Sequence, residues 1–257
     1  MKGYSTDKIR NIVLLGHGST GKTTFLEAGL LNTKVISRLG KVEDGNTVSD
    51  YEKMEVEKGY TINQTLVPVE YKGTKLNFID TPGFFDFAGE ARAALSTGAT
   101  AIIMVDASSG IQVGTEKAFD LVKEYNSPTF FVINKIDKDN IDVDEVVSAL
   151  QDKFGSAVVT LEDKDALDEA VAGADEELME KFFEGEPFTD EEFAHGLATG
   201  IHNGDIMPVL KMSALKGTGV DEVLDALCKY VPKVTTVLTP TSFTLSPNAP
   251  RNTATAK

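Results

Sequence analysis

The chain contains no tryptophan, one cysteine and no long hydrophobic run among its 257 residues. The single Cys228 cannot form an intramolecular disulfide, which fits a reducing compartment such as the cytoplasm. Its longest apolar runs, such as residues 101–105, are far shorter than the roughly 20 residues that a membrane-spanning helix needs. The first residues also lack the layout of a secretory signal peptide. We therefore expect a cytoplasmic protein without a membrane segment.

Basic residues are few, since 25 Lys and Arg stand against 40 Asp and Glu and give a formal net charge of -15. A surface this negative repels phosphate backbones, so we expect no direct binding of duplex nucleic acid by this chain alone. The acidic excess is concentrated in residues 162–192, which hold fourteen acidic residues and two lysines. Such a run is typical of a solvated helix face or of a docking surface for a basic partner.

Short apolar runs alternate with helical patterns along most of the chain. The predicted strands are residues 9–15, 66–71, 75–80, 101–106, 129–133 and 207–211. The predicted helices are residues 22–31, 116–125, 143–154 and 220–230. Repeated strand–helix units indicate an α/β fold, a mostly parallel twisted sheet with helices on both faces. Ligands of such sheets bind at the carboxyl ends of the strands.

Two segments interrupt this alternation. Residues 157–197 are predicted to form a small acidic inserted subdomain, with helices at 174–183 and 189–197. Residues 234–257 are rich in threonine and contain no acidic residue, which is typical of an extended linker. The main domain would then consist of residues 1–156 and 198–233.

A glycine-rich motif joins the first predicted strand to the first predicted helix. It has the form G-x4-G-K-[ST] and consists, with the residue after it, of Gly16, His17, Gly18, Ser19, Thr20, Gly21, Lys22, Thr23 and Thr24. In such a loop the backbone N–H groups and the helix N-terminus face phosphate oxygens. Lys22 would neutralise the β- and γ-phosphates, and the Thr23 hydroxyl would bind Mg²⁺. The alternative is a glycine turn that merely opens a helix.

Asp80 ends a predicted strand and begins the pattern D-x-x-G, which closes at Gly83. A carboxylate at this place can hold a Mg²⁺-bound water, and the Gly83 N–H can contact the γ-phosphate. Two further copies of the pattern end no strand, because residues 86–89 are predicted to lead into a helix and residues 152–155 to end one.

The polar stretch at residues 42–62 is too long for a tight loop. It places Thr61 where its hydroxyl and backbone C=O could serve Mg²⁺ and the γ-phosphate, so that bound triphosphate would order the stretch. An inert flexible loop is the alternative.

The next motif, N-K-x-D, follows the predicted strand at residues 129–133 and supplies Asn134, Lys135 and Asp137. The Asp137 carboxylate would accept from N1–H and the exocyclic amine of guanine, a donor pair that adenine lacks. Asn134 would bond the base edge and tie this loop to the phosphate loop, while the Lys135 stem covers one base face. The last predicted strand is followed by Ser213, Ala214 and Leu215, where a backbone N–H could reach guanine O6.

Taken in order, these motifs resemble the GTP-binding domain of translational GTPases, and among them that of bacterial elongation factor G. The resemblance extends over about residues 8–233 and includes residues 177–185 of the acidic segment. It implies a P-loop GTPase fold, binding of GTP and GDP with Mg²⁺, and GTP hydrolysis stimulated by the ribosome. In this family the inserted subdomain faces the acidic stalk protein of the large ribosomal subunit. The later domains, which carry translocation, would begin near the tail, so the chain resembles an isolated GTP-binding domain.

Four residues depart from the family pattern. Phe84 stands where the family has the histidine that positions the attacking water, and Tyr60 replaces an isoleucine before Thr61. In the phosphate loop, Gly18 and Ser19 replace a valine and an aspartate. In the family, the valine and the isoleucine are thought to gate the histidine, so the apparatus that orients the water was altered as a unit.

Phenylalanine neither donates nor accepts a hydrogen bond, and a positioned acid or base contributes roughly 10²–10⁴-fold to a rate. We therefore expect GTP binding with hydrolysis that is slow or that uses a water positioned by backbone groups, with Lys22, Thr61 and Gly83 as catalytic residues. Ribosome-stimulated turnover with an aromatic residue at this position is an open alternative. One alternative is a GTP-gated binding switch with little or no hydrolysis. Another, an ATP-dependent P-loop kinase, is disfavoured because the N-K-x-D motif fits guanine.

The other residues with reactive side chains fit structural roles. His17 is expected to brace the phosphate loop, and Cys228 to face the core or to be partly buried. His195 and His202 have no cysteine or carboxylate pattern around them that would predict zinc.

Overall fold

The computed structural model describes residues 3–84 and 87–233. Its helices are α1 Lys22–Asn32, α2 Lys53–Lys58, α3 Ala88–Leu95, α4 Val113–Glu124, α5 Val143–Phe154, α6 Lys164–Ala172, α7 Glu176–Glu184, α8 Asp190–Asn203 and α9 Val220–Tyr230. Its strands are β1 Ile9–Gly16, β2 Thr65–Tyr71, β3 Thr74–Asp80, β4 Thr100–Asp106, β5 Thr129–Asn134, β6 Val158–Thr160 and β7 Met207–Lys211. A 3-10 turn, Thr6–Lys8, precedes β1.

The strands form one sheet in the order β2-β3-β1-β4-β5-β7-β6. Every neighbouring pair in this described sheet is parallel except β2 and β3, which form a hairpin closed by Lys72 and Gly73. Both residues of that turn have a positive φ, 45° and 79°, the backbone twist that two-residue hairpins require. The carboxyl ends of β1, β3, β4, β5 and β7 therefore lie at one edge of the sheet.

The core has two layers because successive side chains of a strand point to opposite faces. On one face, Ile12 and Leu14 of β1 pack with α1, α9 and apolar residues of α6, α7 and α8. On the other face, Val13 and Leu15 pack with α3, α4 and α5. Strands β4 and β5 are buried along their whole length because helices cover both of their faces.

The predicted mostly parallel α/β sheet is confirmed, and the six predicted strands and four predicted main helices are present within a few residues of their expected bounds. Both helices expected in the acidic segment are also present, as α7 and α8. The sequence analysis missed α2, α3, α6 and β6. These elements have three to nine residues each, too few for a periodic pattern to stand out.

The acidic segment forms α6, α7 and α8, which pack on one another and join the core through Leu167, Leu178 and Leu197. Strand β6, at its start, belongs to the main sheet, and α8 continues beyond residue 197 to Asn203. The division of the chain at 156/157 and 197/198 stays a prediction, and the expected linker at 234–257 lies outside the described residues. In the part of the chain that the structure describes, no helix is both long and apolar enough to cross a bilayer.

Candidate functional site

The predicted site residues lie at the strand edge where β1, β3, β5 and β7 end. The loop after β1 leads into α1, and β3 ends at Asp80. The Asn134 loop follows β5, and the Ser213 loop follows β7. Parallel pairing places these four loops side by side, so segments that are distant in the chain share one surface.

Backbone conformation explains why glycine stands at two positions of the phosphate loop. Gly16 has φ 132°, and a Cβ there would lie 2.5 Å from the carbonyl oxygen of Met104 in β4. Gly21, at the N-cap of α1, has φ 93°, and a Cβ there would fall on the Asn134 amide. Only glycine fits such close approach with a positive φ. The loop is thus packed directly against β4 and the N-K-x-D loop.

Lys22 is buried under this loop. Its Nζ donates to the carbonyl oxygens of Gly16 at 3.1 Å and His17 at 3.0 Å. Burial lowers the pKa of Lys22 to about 8, against the opposing effect of the Asp80 and Asp50 carboxylates. A buried ammonium is stabilised by an anionic partner, which a phosphate group supplies.

A chain of hydrogen bonds connects the threonines and carboxylates beside Lys22. Thr23 Oγ1 donates to Asp80 Oδ2 at 2.9 Å, and it lies 3.4 Å from Thr61 Oγ1. Thr61 Oγ1 in turn donates to Asp50 Oδ1 at 2.8 Å. The structure thus brings together the three residues predicted to serve Mg²⁺ and adds Asp50, which the sequence analysis missed.

The chemistry of this cluster fits a divalent cation. Asp80 Oδ1 and Asp50 Oδ2 are buried and have no hydrogen-bond partner among the described residues. Burial raises the pKa of Asp80 to about 6 and also raises the pKa of Asp50. A hard cation would satisfy both orphan carboxylate oxygens and hold the two groups ionised. Thr23, Thr61, Asp80 and Asp50 could therefore hold Mg²⁺.

Asn134 connects the phosphate loop to the loop that follows β7. Its Nδ2 donates to the Thr20 carbonyl oxygen at 2.9 Å, and its Oδ1 accepts from the Ala214 N–H at 3.0 Å. Since Asn134 is buried, both of its polar ends are satisfied, and the three loops have a fixed relative position.

Asp137 is exposed at the end of the same surface. Its Oδ1 accepts from Ser213 Oγ at 2.6 Å, while its second carboxylate oxygen has no bond to the described protein. Ser213 and Ala214 are buried, whereas Leu215 is exposed. Ser213 therefore orients the carboxylate that was predicted to read guanine.

Lys135 bridges the two loops through its side chain. Its Nζ donates to the Ser19 carbonyl oxygen at 2.6 Å and to Asp106 Oδ2 at 2.7 Å. Burial alone would raise the pKa of Asp106, but hydrogen bonds from Lys135 and Ser108 outweigh it and bring that pKa to about 2. Asp106, at the end of β4, was missed in the sequence because an aspartate after a strand is common.

Buried carboxylates hold the polar stretch at residues 42–62. Glu27 of α1 accepts from the backbone N–H of Gly40 at 3.0 Å and of Val48 at 2.5 Å. Glu55 of α2 accepts from the N–H of Ile62 at 3.0 Å and of Asn63 at 3.1 Å. These four bonds hold the stretch against α1 and α2, so it is an ordered segment in this structure.

The second strand-end motif lies against the phosphate loop. A Cβ on Gly83 would be 2.8 Å from Gly18 Cα and 2.8 Å from Lys22 Nζ, so Gly83 is adjacent to both. Phe84, at the position of the family's histidine, is 43% exposed and packs on Tyr60 at a ring distance of 4.9 Å. Within the described contacts of Phe84, no acid or base stands in for the histidine.

The remaining residues of the sequence analysis lie elsewhere or have packing roles. His17 packs on Gly114 of α4, since a Cβ on Gly114 would be 2.6 Å from His17 Nδ1, and this supports a bracing role. His195 and His202 are exposed on α8, and in the described ranges no group of three His, Cys, Asp or Glu side chains could hold a metal. Cys228 is a half-buried free thiol of α9, as expected. The second D-x-x-G copy ends in α3 at Gly89, its Asp86 lying outside the described residues, and the third ends α5 at Gly155.

Comparisons with known proteins place this geometry in a family. The family model described as elongation factor Tu GTP binding domain matches residues 7–233. Tetracycline resistance protein TetW of Butyrivibrio fibrisolvens is 33% identical over 233 residues, which are 86% of this chain and 36% of TetW. Tetracycline resistance protein TetM of Ureaplasma urealyticum is 31% identical over 234 residues, with the same two coverages. The chain spans about a third of the length of these relatives.

A solved structure shows the same architecture. The crystal structure of ttk003000868 from Thermus thermophilus superimposes with a TM-score of 0.82 at 28% identity. The match covers 88% of this chain and 41% of that one. The resemblance that the motifs predicted is thereby confirmed, and the chain belongs to the elongation factor Tu GTP-binding domain family of translational GTPases.

Proposed function

We propose that this domain binds GTP and GDP at the four-loop surface, together with Mg²⁺, and hydrolyses GTP to GDP and phosphate. The observation that carries the proposal is the double contact of Asn134 with Thr20 of the phosphate loop and Ala214 of the base-reading loop. These bonds hold the two loops at a fixed spacing on one face, which supports the binding of one nucleotide across both.

Each end of the nucleotide has its own residues. The N–H groups of the loop from Gly16 to Thr24 bind the phosphates, and Lys22 neutralises the β- and γ-phosphates. At the base, Asp137 accepts from guanine, and the Lys135 stem covers a face. Ala214 was expected to contact guanine, but its N–H donates to Asn134, so these two residues hold the loops beside the base. Adenine would leave the Asp137 carboxylate without its donors, which disfavours ATP.

The catalytic residues act on the γ-phosphate. Thr61 and Gly83 orient its oxygens by hydrogen bonding, and Lys22 stabilises the negative charge that grows on them. Thr23, Thr61, Asp80 and Asp50 would hold Mg²⁺, which would supply further neutralisation of the phosphate charge. Because Phe84 provides no hydrogen bond to an attacking water, we propose that intrinsic hydrolysis is slow.

A GTP-gated binding switch with little or no hydrolysis is the second candidate. The packing of Phe84 on Tyr60 favours it, because two aromatic rings occupy the side of the site where the family's water-positioning histidine would stand. In this case GTP would order the segment at residues 42–62 and allow a partner to dock, with phosphate release contributing little.

We further propose that the domain works in the cytoplasm as part of an elongation factor G-like translation factor that acts on the ribosome. Its membership of the elongation factor Tu GTP-binding domain family supports this context, and the chain covers about a third of the length of its relatives. The acidic subdomain at residues 157–197 would face the ribosomal stalk protein, and residues 234–257 would link to later domains. Without its partner domains, the acidic chain would not bind duplex nucleic acid directly.

Two measurements test the proposal. Calorimetric titration with GDP, GTP and ATP in Mg²⁺ should show binding of both guanine nucleotides and at least about 100-fold weaker binding of ATP. A single-turnover phosphate-release assay with and without ribosomes then separates the two candidates, because only the GTPase is stimulated by ribosomes. Equal affinity for ATP and GTP would contradict guanine recognition.

A further inference from the structure

Two aromatic rings connect the segments on either side of the phosphate loop. Tyr60 and Phe84 meet edge to face, with ring centroids 4.9 Å apart and an interplanar angle of 66°. Tyr60 directly precedes Thr61, and Phe84 directly follows Gly83. Thr61 and Gly83 are the two residues proposed to contact the γ-phosphate. The ring contact therefore joins the two backbone segments that carry them.

Gly18 makes room for this contact. A Cβ on Gly18 would lie 3.4 Å from Cζ and 3.5 Å from Cε1 of the Phe84 ring, which is already van der Waals distance. A branched side chain at this position would extend into the ring. Gly18 and Tyr60, two of the other departures from the family pattern, thus both lie beside the Phe84 ring.

The Phe84 ring also borders open space. It lines a cavity of about 330 Å³ between α3 and α4, together with Gly83, Ala88 and Leu121. The ring is 43% exposed and is not locked into the core. The pair can therefore separate without disrupting the sheet.

We infer that Tyr60 and Phe84 form an aromatic clasp that sets the preference of the site for a nucleoside triphosphate over a diphosphate. The inference rests on the proposed function and concerns these two residues as positioning residues. When the rings meet, Thr61 lies 3.4 Å from Thr23, and Gly83 is adjacent to Lys22. The clasp thus stabilises the arrangement in which both segments are closed on the phosphate loop.

Triphosphate and diphosphate depend differently on this arrangement. The γ-phosphate contacts Thr61 and Gly83, so its binding requires both segments to be closed. A diphosphate is bound by the phosphate loop and the base-reading loops, which the clasp does not hold in place. A group that favours the closed arrangement therefore raises triphosphate affinity selectively, and bound triphosphate favours the clasp in return.

The experiment compares affinities for GDP and for a non-hydrolysable GTP analogue in matched variants. Tyr60→Leu and Phe84→Leu should each raise the Kd of the analogue about 2- to 10-fold, the range expected for loss of one aromatic pair, and should change the Kd of GDP less than about twofold. The double variant should lose no more affinity for the analogue than either single variant, because each substitution alone already removes the ring contact. Tyr60→Phe keeps the ring contact and should bind both ligands as the parent chain does.

The matched control is Tyr51→Leu, which removes an exposed tyrosine from the same polar stretch and should leave both affinities unchanged. A spectroscopic readout is available because the chain has no tryptophan. Tyr60→Trp places a sole indole in the clasp, and its emission should shift more with the GTP analogue than with GDP. Adding Phe84→Leu should abolish that difference.

Three results would contradict the clasp. The first is that Tyr60→Leu or Phe84→Leu weakens the binding of GDP as much as that of the analogue. The others are that the effects of these two variants add in the double variant, or that Tyr60→Phe binds the analogue as weakly as Tyr60→Leu. Circular dichroism melting curves identify a variant that has lost its fold. If a leucine variant is unfolded, Tyr60→Phe and Tyr60→Trp, which keep an aromatic ring at this position, are used to test the clasp. If the parent chain binds neither nucleotide, the proposed function fails and the clasp fails with it. If the parent binds both and Tyr60→Leu leaves the ratio of the two affinities unchanged, only the clasp fails.

Discussion

In the proposed guanine site, Asn134 is buried whereas Asp137 is exposed, so the two side chains have different roles. Asn134 uses both ends of its amide inside the protein, on Thr20 and Ala214, so its role is to fix the loops. Asp137 accepts from Ser213 through one carboxylate oxygen, and we propose that the other accepts from guanine. Specificity for the base should therefore depend on Asp137 more directly than on its neighbours.

Asp137→Asn should weaken GTP binding about 10- to 100-fold, because hydrogen bonds to a charged acceptor contribute about 1.5–3 kcal/mol. The amide can donate where the carboxylate accepted, and xanthine has a carbonyl where guanine has its exocyclic amine. The variant should therefore gain affinity for xanthosine triphosphate. Titration with both nucleotides measures the change.

The control for this prediction is Asp139→Asn, two residues further on and also exposed. It should leave both affinities unchanged. A loss of GTP binding by Asp137→Asn without any gain for xanthosine triphosphate would show that Asp137 supports the loop and does not read the base.

Asp50 has the contacts expected of a metal-site residue although no motif contains it. Asp50→Asn keeps an acceptor for the Thr61 hydroxyl but removes the buried charge beside Asp80. The Mg²⁺ concentration that half-saturates GTP binding should rise about 10- to 100-fold, as for other residues that support metal ligands. GTP affinity measured in excess EDTA should remain that of the parent chain.

Asp44→Asn serves as the control, since Asp44 is an exposed carboxylate of the same stretch. If Asp50→Asn required no more Mg²⁺ than the parent chain, the orphan oxygen of Asp50 would not face the cation.

Among the secondary-structure elements, α2 shows what sequence reasoning could and could not provide. The motif residues were found because each lies at a strand end, where short patterns such as G-x4-G-K-[ST] and N-K-x-D are tied to backbone geometry. All six residues of α2 are polar or exposed, and the one that is buried is the carboxylate Glu55. The helix therefore has no apolar stripe by which its sequence could be recognised. Asp50, Glu55 and Asp106 become functional candidates only through contacts with residues distant in sequence. No local pattern marks such contacts.

Helix α2 is predicted to anchor the segment that carries Tyr60 and Thr61. Glu55→Ala removes the charged acceptor of the partly buried Ile62 and Asn63 N–H groups, and hydrogen bonds to charged groups contribute about 1.5–3 kcal/mol each. The segment at residues 42–62 should open more often, so limited proteolysis there should be faster and the GTP analogue should bind more weakly than in the parent chain. Cleavage sites are assigned by mass spectrometry.

Glu57→Ala, in the same helix and exposed, is the matched control and should be cleaved at the parent rate. Cleavage of Glu55→Ala at the parent rate would mean that other contacts, such as those of Glu27, hold the segment alone.

At the scale of the whole molecule, the acidic segment is joined to the nucleotide-binding sheet by a continuous core. Leu178 of α7 and Leu197 of α8 belong to the same buried cluster as Leu224 and Leu227 of α9, which packs on α1 behind the phosphate loop. The acidic charge thus lies on the outer face of α6, α7 and α8, while their inner faces are part of the domain's core. We therefore expect the segment and the sheet to unfold together.

Gly196 is the closest point of contact within that segment. A Cβ there would lie 2.6 Å from Leu178 Cδ1 and 2.7 Å from Val171 Cγ1, so α8 packs directly on α6 and α7. Gly196→Val should lower the free energy of unfolding by about 1–3 kcal/mol through overpacking. Gly173→Val, at the exposed end of α6 where a Cβ meets nothing closer than 3.5 Å, should change it by no more than about 0.5 kcal/mol. Urea unfolding followed by circular dichroism should give one shifted transition for Gly196→Val, with nucleotide binding lost at the same midpoint. Two separate transitions, the second with nucleotide still bound, would instead show that α6, α7 and α8 fold independently of the sheet.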